Sequence, residues 1–352
     1  MRALLISNPN STSLTHHLMA RLIPELMAAP GLDIEARYTA YAGHATEMCR
    51  GLTRDDVDVV ICVGGDGTVN EAINGLLGDD PRHPDELPAV AVVPTGSANV
   101  LAGALGLPRE PKLAAGVLAG LIAQGTHRDI TLGRTAGQWF TVNTGMGVDA
   151  DVITTMDDLR SEGVRANPIR YVPTVIGAWL RIRRNPPEIT AVVDGEEFAR
   201  DVPMLVVSNS NPWTFLGLLP VITNPGTRLD TGLGVWALTS LTGVRGLLAM
   251  LRLAGVVLFP WQSKSIEHRQ MRLDDVTRIE LSSPRPLKFQ VDGEARGERT
   301  SVTVEAVPGA LRMVAPDPDL DFANSSDPDV PWWRRVLDSL ARRTKPLRHL
   351  AL

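Results

Sequence analysis

The sequence predicts an α/β plus all-β protein: a doubly wound α/β domain with a parallel sheet, followed by an antiparallel β-sandwich domain. Three observations carry that prediction. Strand and helix patterns alternate from Met1 to about Ala123. After Gly125, short alternating segments separated by turn dipeptides take over. Between Val57 and Leu76, a β-branched run joins a helical pattern through glycines, the join found at the carboxyl edge of a parallel sheet.

In chain order, "ALLIS" reads as a strand, "LTHHLMARLIPELMA" as a helix and "LDIEARYT" as a strand. A helix around "HATEMCRGL" leads to the strand "VDVVICV", whose residues are apolar on both faces and so belong inside a covered sheet. After Thr68, Val69, Ile73 and Leu76 recur at helical spacing. The strand "AVAVV" and the helix "KLAAGVLAGLIAQ" complete the first domain, residues 1–125. The second, 126–314, contains "RDITLGR", "QWFTVNTGMG", "EITAVVDG", "PMLVVSNS", "GVWALTS", "RIELSS", "LKFQVDGE" and "TSVTVEAV". Asp194-Gly195 and Asp292-Gly293 are hairpin turn signals, and helical patterns over 171–184 and 243–259 interrupt the strands. Residues 315–331 are rich in Pro and Asp and read as a linker before a tail, 332–352.

Bulk properties narrow the function. The chain has 352 residues, 44% of them hydrophobic, and a formal charge of −5, which gives no electrostatic footprint for nucleic acid. Cys49 and Cys62 lack metal spacing, and Cys62 lies within an apolar strand, as expected of a reduced thiol in a cytoplasmic protein. The N-terminal apolar run stops at Ser7-Asn8-Pro9, too short for a signal peptide, and the run 247–261 is too short to span a bilayer.

Gly64, Gly65 and Gly67 allow a sharp turn and leave amide N–H groups uncovered at the positive end of a helix, a site for phosphate oxygen. No Gly-Lys pair exists for a Walker A loop, and a GxGxxG count from Gly65 ends on Asn70. An acid inside the glycine turn, Asp66, instead implies a bridging cation such as Mg²⁺ or a poised base.

These residues carry a resemblance. "GGDGTVNEAINGL" (64–76) resembles the catalytic signature of the diacylglycerol kinase superfamily, which includes sphingoid-base kinases and bacterial lipid kinases. "SNPNST" (7–12), "YTAYAGHA" (38–45), "VVPTGSANVLAGALGLP" (92–108), "NTGMGVDADV" (143–152) and "FQVDGE" (289–294) are similar to its further motifs, in the same order. NAD kinases share the shorter GGDGT, but Asn70-Glu71 and Asp292-Gly293-Glu294 favour the lipid kinases. The resemblance implies an NAD-kinase-like nucleotide domain with a β-sandwich, ATP and Mg²⁺ as cofactors, and transfer of the γ-phosphate to a lipid hydroxyl. It leaves diacylglycerol, a sphingoid base and another lipid alcohol open.

The roles follow residue by residue. The amides of Gly64, Gly65, Asp66, Gly67 and Thr68 would contact phosphate, and the Asp66 carboxylate would hold the metal–phosphate group. Asn70 and Glu71 would extend that site along the helix; Asn8, Ser11, Thr12 and Thr39 would line the neighbouring crevice; Thr95, Gly96 and Ser97 would bond phosphate or ribose. Val100 replaces the aspartate usual after Asn99. Glu294 would be the general base. In "NPGTRLDTGLG", Asp230 is the candidate ligand of an auxiliary metal, but Thr231 stands where a second aspartate belongs and cannot replace it for a hard dication. A kinase of a soluble acceptor such as NAD, or a silent lipid-binding module, are the competing readings. The partner expectations are a lipid substrate, a peripheral contact with the inner face of an anionic membrane, and a homodimer.

In the tail, Trp332, Trp333, Val336, Leu337 and Leu340 group on one side of a helical pattern, with Arg334, Arg335, Arg342, Arg343, Lys345 and Arg348 opposed by Asp338. That composition fits a helix lying in a membrane interface, each basic residue contributing ~1 kcal/mol on anionic lipid. Removing residues 332–352 should weaken binding to anionic vesicles, and binding by the full chain should fall as salt rises. Equal vesicle binding with and without the tail would make it a packing element.

Overall fold

The computed structural model describes residues 1–9, 11, 16–79, 82–147, 172–216, 219–253 and 264–317. Thr12, residues 148–152 of the motif beginning at Asn143, most of the linker and the whole tail lie outside the described residues. The chain divides into two compact units. The first comprises residues 1–132, 137–139 and the chain from 308 on; the second comprises 133–136 and 140–307.

The first unit alternates β1 (Arg2–Ser7), α1 (His16–Leu26), β2 (Asp33–Tyr38), α2 (His44–Cys49), β3 (Val59–Gly64), α3 (Asp66–Leu77), β4 (Ala89–Pro94), α4 (Val100–Ala104) and α5 (Pro111–Gln124). Its strands pair in parallel in the order β4-β3-β1-β2. β1, β3 and β4 are buried almost throughout, as their unbroken apolar runs require, whereas the edge strand β2 is largely exposed. The step from β1 to β2 runs in one direction and the steps from β2 to β3 and β4 in the other. Right-handed crossovers then put α1 on one face and α2 and α3 on the opposite face. α1 packs on α5, and α2 on α3.

The second unit is antiparallel. β5 (Arg128–Thr135) and β6 (Gln138–Phe140) lead into β7 (Asn143–Gly147), α6 (Val172–Arg184), β8 (Ile189–Val193), β9 (Glu196–Val202) and β10 (Met204–Ser208). There follow β11 (Thr214–Leu216), β12 (Leu219–Val221), β13 (Leu233–Leu238), α7 (Gly243–Leu253), α8 (Lys264–Glu267), β14 (Gln270–Val276), β15 (Arg278–Val291) and β16 (Glu294–Met313). β15 pairs with β16 and with two further strands: Ile279–Ser282 pair with β8, while Phe289–Val291 pair with β7. The register shifts between Ser282 and Leu287, the stretch that contains Pro284 and Pro286, which cannot donate to a ladder.

Period-two alternation explains why β10 and β13 are buried on both faces. Leu205, Val207, Leu233 and Val235 join a core with Phe140, Ile189, Ile279, Phe289 and Val304. Their neighbours Met204, Val206, Trp236 and Leu238 face a second core built with Val175, Trp179 and Ile182 of α6 and Ala249 and Met250 of α7. α6 and α7, which fall within the helical patterns at 171–184 and 243–259, thus cover the sheet's other face, while residues 171 and 254–259 lie outside the described residues.

β16 ends in the first unit, where Met313 pairs in parallel with Val90 and the Val314 amide donates to the Val90 carbonyl at 2.8 Å. There Arg312 bonds Asp85 (2.6 Å) and Asp129 (3.2 Å).

Two helix glycines separate propensity from packing. A Cβ on Gly75 of α3 would lie 2.3 Å from the Thr46 carbonyl of α2, whereas one on Gly120 of α5 would meet nothing within 4 Å. Gly120→Ala should therefore stabilise by about 0.5–1 kcal/mol, and Gly75→Ala should destabilise despite the same propensity gain. Denaturant unfolding of the two variants checks the opposite signs.

Candidate active site

β1 and β3 are neighbours whose connections leave in opposite directions, so their carboxyl ends open at a topological switch point, where ligands of such sheets bind. The expected loops meet there. The Ser11 hydroxyl lies 2.8 Å from both the carbonyl and the hydroxyl oxygen of Thr95. Asn8 Nδ2 donates to Thr68 Oγ1 at 3.5 Å, its amide donates to the Val63 carbonyl, and the Thr95 amide donates to the Gly64 carbonyl at 3.0 Å. Thr39 is buried after β2, its amide donating to Ser7. Ser97 is exposed on the loop after β4.

The two glycine loops touch. A Cβ on Gly96 would sit 2.5 Å from the Gly65 Cα, and one on Gly65 would sit 3.1 Å from the Gly96 Cα. A Cβ on Gly64 would lie 2.6 Å from the Thr68 Cβ. α3 begins at Asp66 with extended Gly65 as its N-cap, three residues before Val69, where the apolar spacing starts. Asp66, Gly67 and Thr68 therefore form the first helical turn, whose amides lack intrahelical acceptors.

Asp66 clamps the loops. Its two oxygens accept from the amides of Val100 and Leu101, each at 3.0 Å, capping α4 from across the loop. Asn99, at φ 50°, turns its own side chain back to Gly96, accepting from that amide at 2.9 Å and donating to its carbonyl at 2.8 Å. Burial pushes the Asp66 carboxyl up from its ordinary value, and the amides of Val100 and Leu101 pull it back. The contact at position 100 is a main-chain amide, so a valine there keeps it while its side chain is buried.

Asn70 and Glu71 follow on α3, about 6 and 7.5 Å along the axis from Asp66, and both have partners outside the glycine loops. Asn70 Nδ2 donates to the Trp139 carbonyl at 2.9 Å, beside Asn74, which bonds both the amide and the carbonyl of Trp139. Glu71 accepts from the Ala45 amide at 3.3 Å, capping α2, whose N-cap Gly43 has no side chain to do so. Asp230 pairs with Arg228, which engages both its oxygens at 3.0 and 3.2 Å, and Thr231 Oγ1 donates to the Arg228 carbonyl. Among the described residues no three His, Cys, Asp or Glu side chains group to hold a metal.

In the second unit, Asp292 and Gly293 turn with φ of 47° and 82°, linking β15 to β16. The Asp292 carboxylate accepts from the amide and hydroxyl of Thr141 (2.8 Å each), and from the amides of Val142 (2.8 Å) and Asn143 (3.0 Å). Burial raises this carboxyl too, against the lowering effect of those donors. The next residue, Glu294, is half exposed and paired with Arg296 at 2.6 Å. Sequence reasoning took Asp292 for a turn former alone and missed Asn99 and Trp139. The signals were an acid that stays in a buried turn, an asparagine before a helix, and a tryptophan within a short strand.

Asp292→Asn would aim an amide NH₂ at backbone donors. It should destabilise the protein by about 1–3 kcal/mol, read from denaturant unfolding. Unchanged stability would mean that these four bonds do not anchor the turn.

Comparison with known proteins agrees with this geometry. The family model for the diacylglycerol kinase catalytic domain matches residues 2–135. A "Probable lipid kinase YegS-like" protein of Stenotrophomonas maltophilia is 30% identical over 290 residues, covering 81% of this chain and 88% of that one. A diacylglycerol kinase of Staphylococcus carnosus is 25% identical over 300 residues, covering 84% and 90%. The crystal structure of a diacylglycerol kinase from Bacillus anthracis superposes with a TM-score of 0.65 at 22% identity, covering 90% of this chain and 97% of that one, a likeness of fold. The chain belongs to the diacylglycerol kinase superfamily of lipid kinases, phosphotransferases with an alcohol group as acceptor.

Proposed function

We propose that the protein transfers the γ-phosphate of Mg²⁺-bound ATP to the hydroxyl of a membrane lipid alcohol, with diacylglycerol the first acceptor to test. The observation that carries the reading is the contact of Gly65 with Gly96 where α3 begins, at a first helical turn whose amides have no intrahelical acceptor. Phosphoryl transfer needs positioning and charge neutralisation more than covalent chemistry, and such amides supply both. The donor set suits Mg²⁺ carried on nucleotide phosphates: this ion takes one or two carboxylates and fills its octahedron with phosphate and water oxygens. Asp66 would hold it, its carboxylate being fixed at the join of the two glycine loops by the amides of Val100 and Leu101. Bound there, the ion would neutralise charge on the transferred group.

Glu294 is the proposed general base, beyond a turn whose shape Asp292 fixes. The second unit supports an apolar acceptor. Ile176 and Leu180, one turn apart on α6, are 36% and 46% exposed, and Leu273 is 43% exposed on β14. No described helix is long and apolar enough to cross a membrane, so the enzyme would meet its lipid from the surface, with the basic tail as an aid.

Kinetics with labelled ATP and a short-chain diacylglycerol in mixed micelles test the assignment. Asp66→Asn should lower kcat about a hundredfold or more in a folded protein. Glu294→Gln should lower kcat by ~10²–10⁴-fold with nucleotide affinity unchanged. Full turnover by folded Asp66→Asn, or transfer to NAD in place of lipid, would overturn the proposal.

A further inference from the structure

Gln290 is a fully buried amide in a strand whose neighbours Phe289 and Val291 both serve the core. Burying an amide is costly unless its polar atoms are bonded, and here they are. Its Oε1 accepts from the Gly293 amide at 2.9 Å, and its Nε2 donates to Asn143 Oδ1 at 2.8 Å. Asn143, also buried, passes the chain on: its Nδ2 donates to the Trp213 carbonyl at 2.9 Å. Thr144 Oγ1 donates to the Gln290 carbonyl at 2.6 Å and fixes the strand beneath.

The Gly293 amide lies inside the turn, where a hairpin leaves such a group to water because its own ladder pairs Val291 with Glu294. Holding the sheet does not require that bond; holding the direction in which the chain leaves the turn does. The far end of the relay is equally specific. The Trp213 amide donates to the Val221 carbonyl, so Trp213 is gripped from both sides within the segment between β10 and β12.

We infer that Gln290 and Asn143 are positioning residues for the phosphoryl-transfer step. Through the Gly293 amide and the Trp213 carbonyl they fix Glu294 relative to the β10–β11 segment, a role that rests on the reading of Glu294 as the general base. A displacement of about 1 Å at a reacting group can cost ~10²-fold in rate, so loss of the relay acts on kcat. Nucleotide binding, assigned to the first unit, stays as it was.

A double-mutant cycle tests this, with labelled ATP and short-chain diacylglycerol micelles. Gln290→Met keeps the volume and removes both hydrogen bonds. It should lower kcat about 10- to 100-fold with KM for ATP unchanged, and should lower it no further in a Glu294→Gln background. If Gln290→Met does not fold, Gln290→Glu carries the test. It retains the acceptor for Gly293, and only its protonated form can donate to Asn143, so its kcat relative to the parent should fall as pH rises. Multiplicative effects of the two substitutions, or full activity of both Gln290 variants beside an impaired Glu294→Gln, would overturn the relay and leave the base assignment standing. Full activity of Glu294→Gln would overturn both.

Discussion

Two main chains passing within van der Waals reach at Gly65 and Gly96 constrain the loops at the carboxyl edge of the parallel sheet. Neither position tolerates a Cβ without displacing backbone, so the loops after β3 and β4 can only meet as glycines. Once they meet, the amides of the second loop need an acceptor, and Asp66 is the group within reach. Asn99 then adopts a left-handed conformation to bridge Gly96, and α4 starts immediately after it. Loop geometry, helix cap and exposed amides are consequences of one contact.

The second unit uses the same device on a different scaffold. Asp292 gathers the main-chain amides of 141–143 as Asp66 gathers those of 100 and 101. In each case a buried carboxylate accepts from groups that no sheet or helix satisfies, which offsets the cost of withdrawing its charge from water. The residue beside each anchor inherits a fixed position. That economy gives fixed shape to glycine-rich turns, which are otherwise the loosest parts of a chain.

Much of this was legible in the sequence. The parallel strands announce themselves because residues covered on both faces must be apolar throughout, and Asp194-Gly195 and Asp292-Gly293 turn hairpins as their dipeptides require. β14 escaped because in "QMRLDDV" only Met271 and Leu273 alternate with polar residues, and the pattern breaks at Asp274-Asp275. β9, "EEFARDV", escaped because it has no apolar alternation to read. At the site, the glycine loops could be found from composition, but the partners of Asn70, Glu71 and Asp230 could not. A polar side chain near a helix end has several acceptors within reach, and tertiary packing chooses among them. Trp139 is the clearest example: its capture by Asn74 joins residues 65 positions apart that share no local pattern.

The division of the chain carries a consequence for biosynthesis. The first unit is not finished by its first 132 residues, because it also takes residues 137–139 and the chain from 308 onward. Leu311, Met313 and Ala315 are buried there, and the Val314 amide closes the outer edge of β4. A growing chain usually completes its N-terminal domain first. Here the parallel sheet waits, with that edge of β4 unpaired, until the ribosome has released the chain past Val314. A chain broken off anywhere within the sandwich would yield an open sheet edge, and with it a ready substrate for chaperones and proteases.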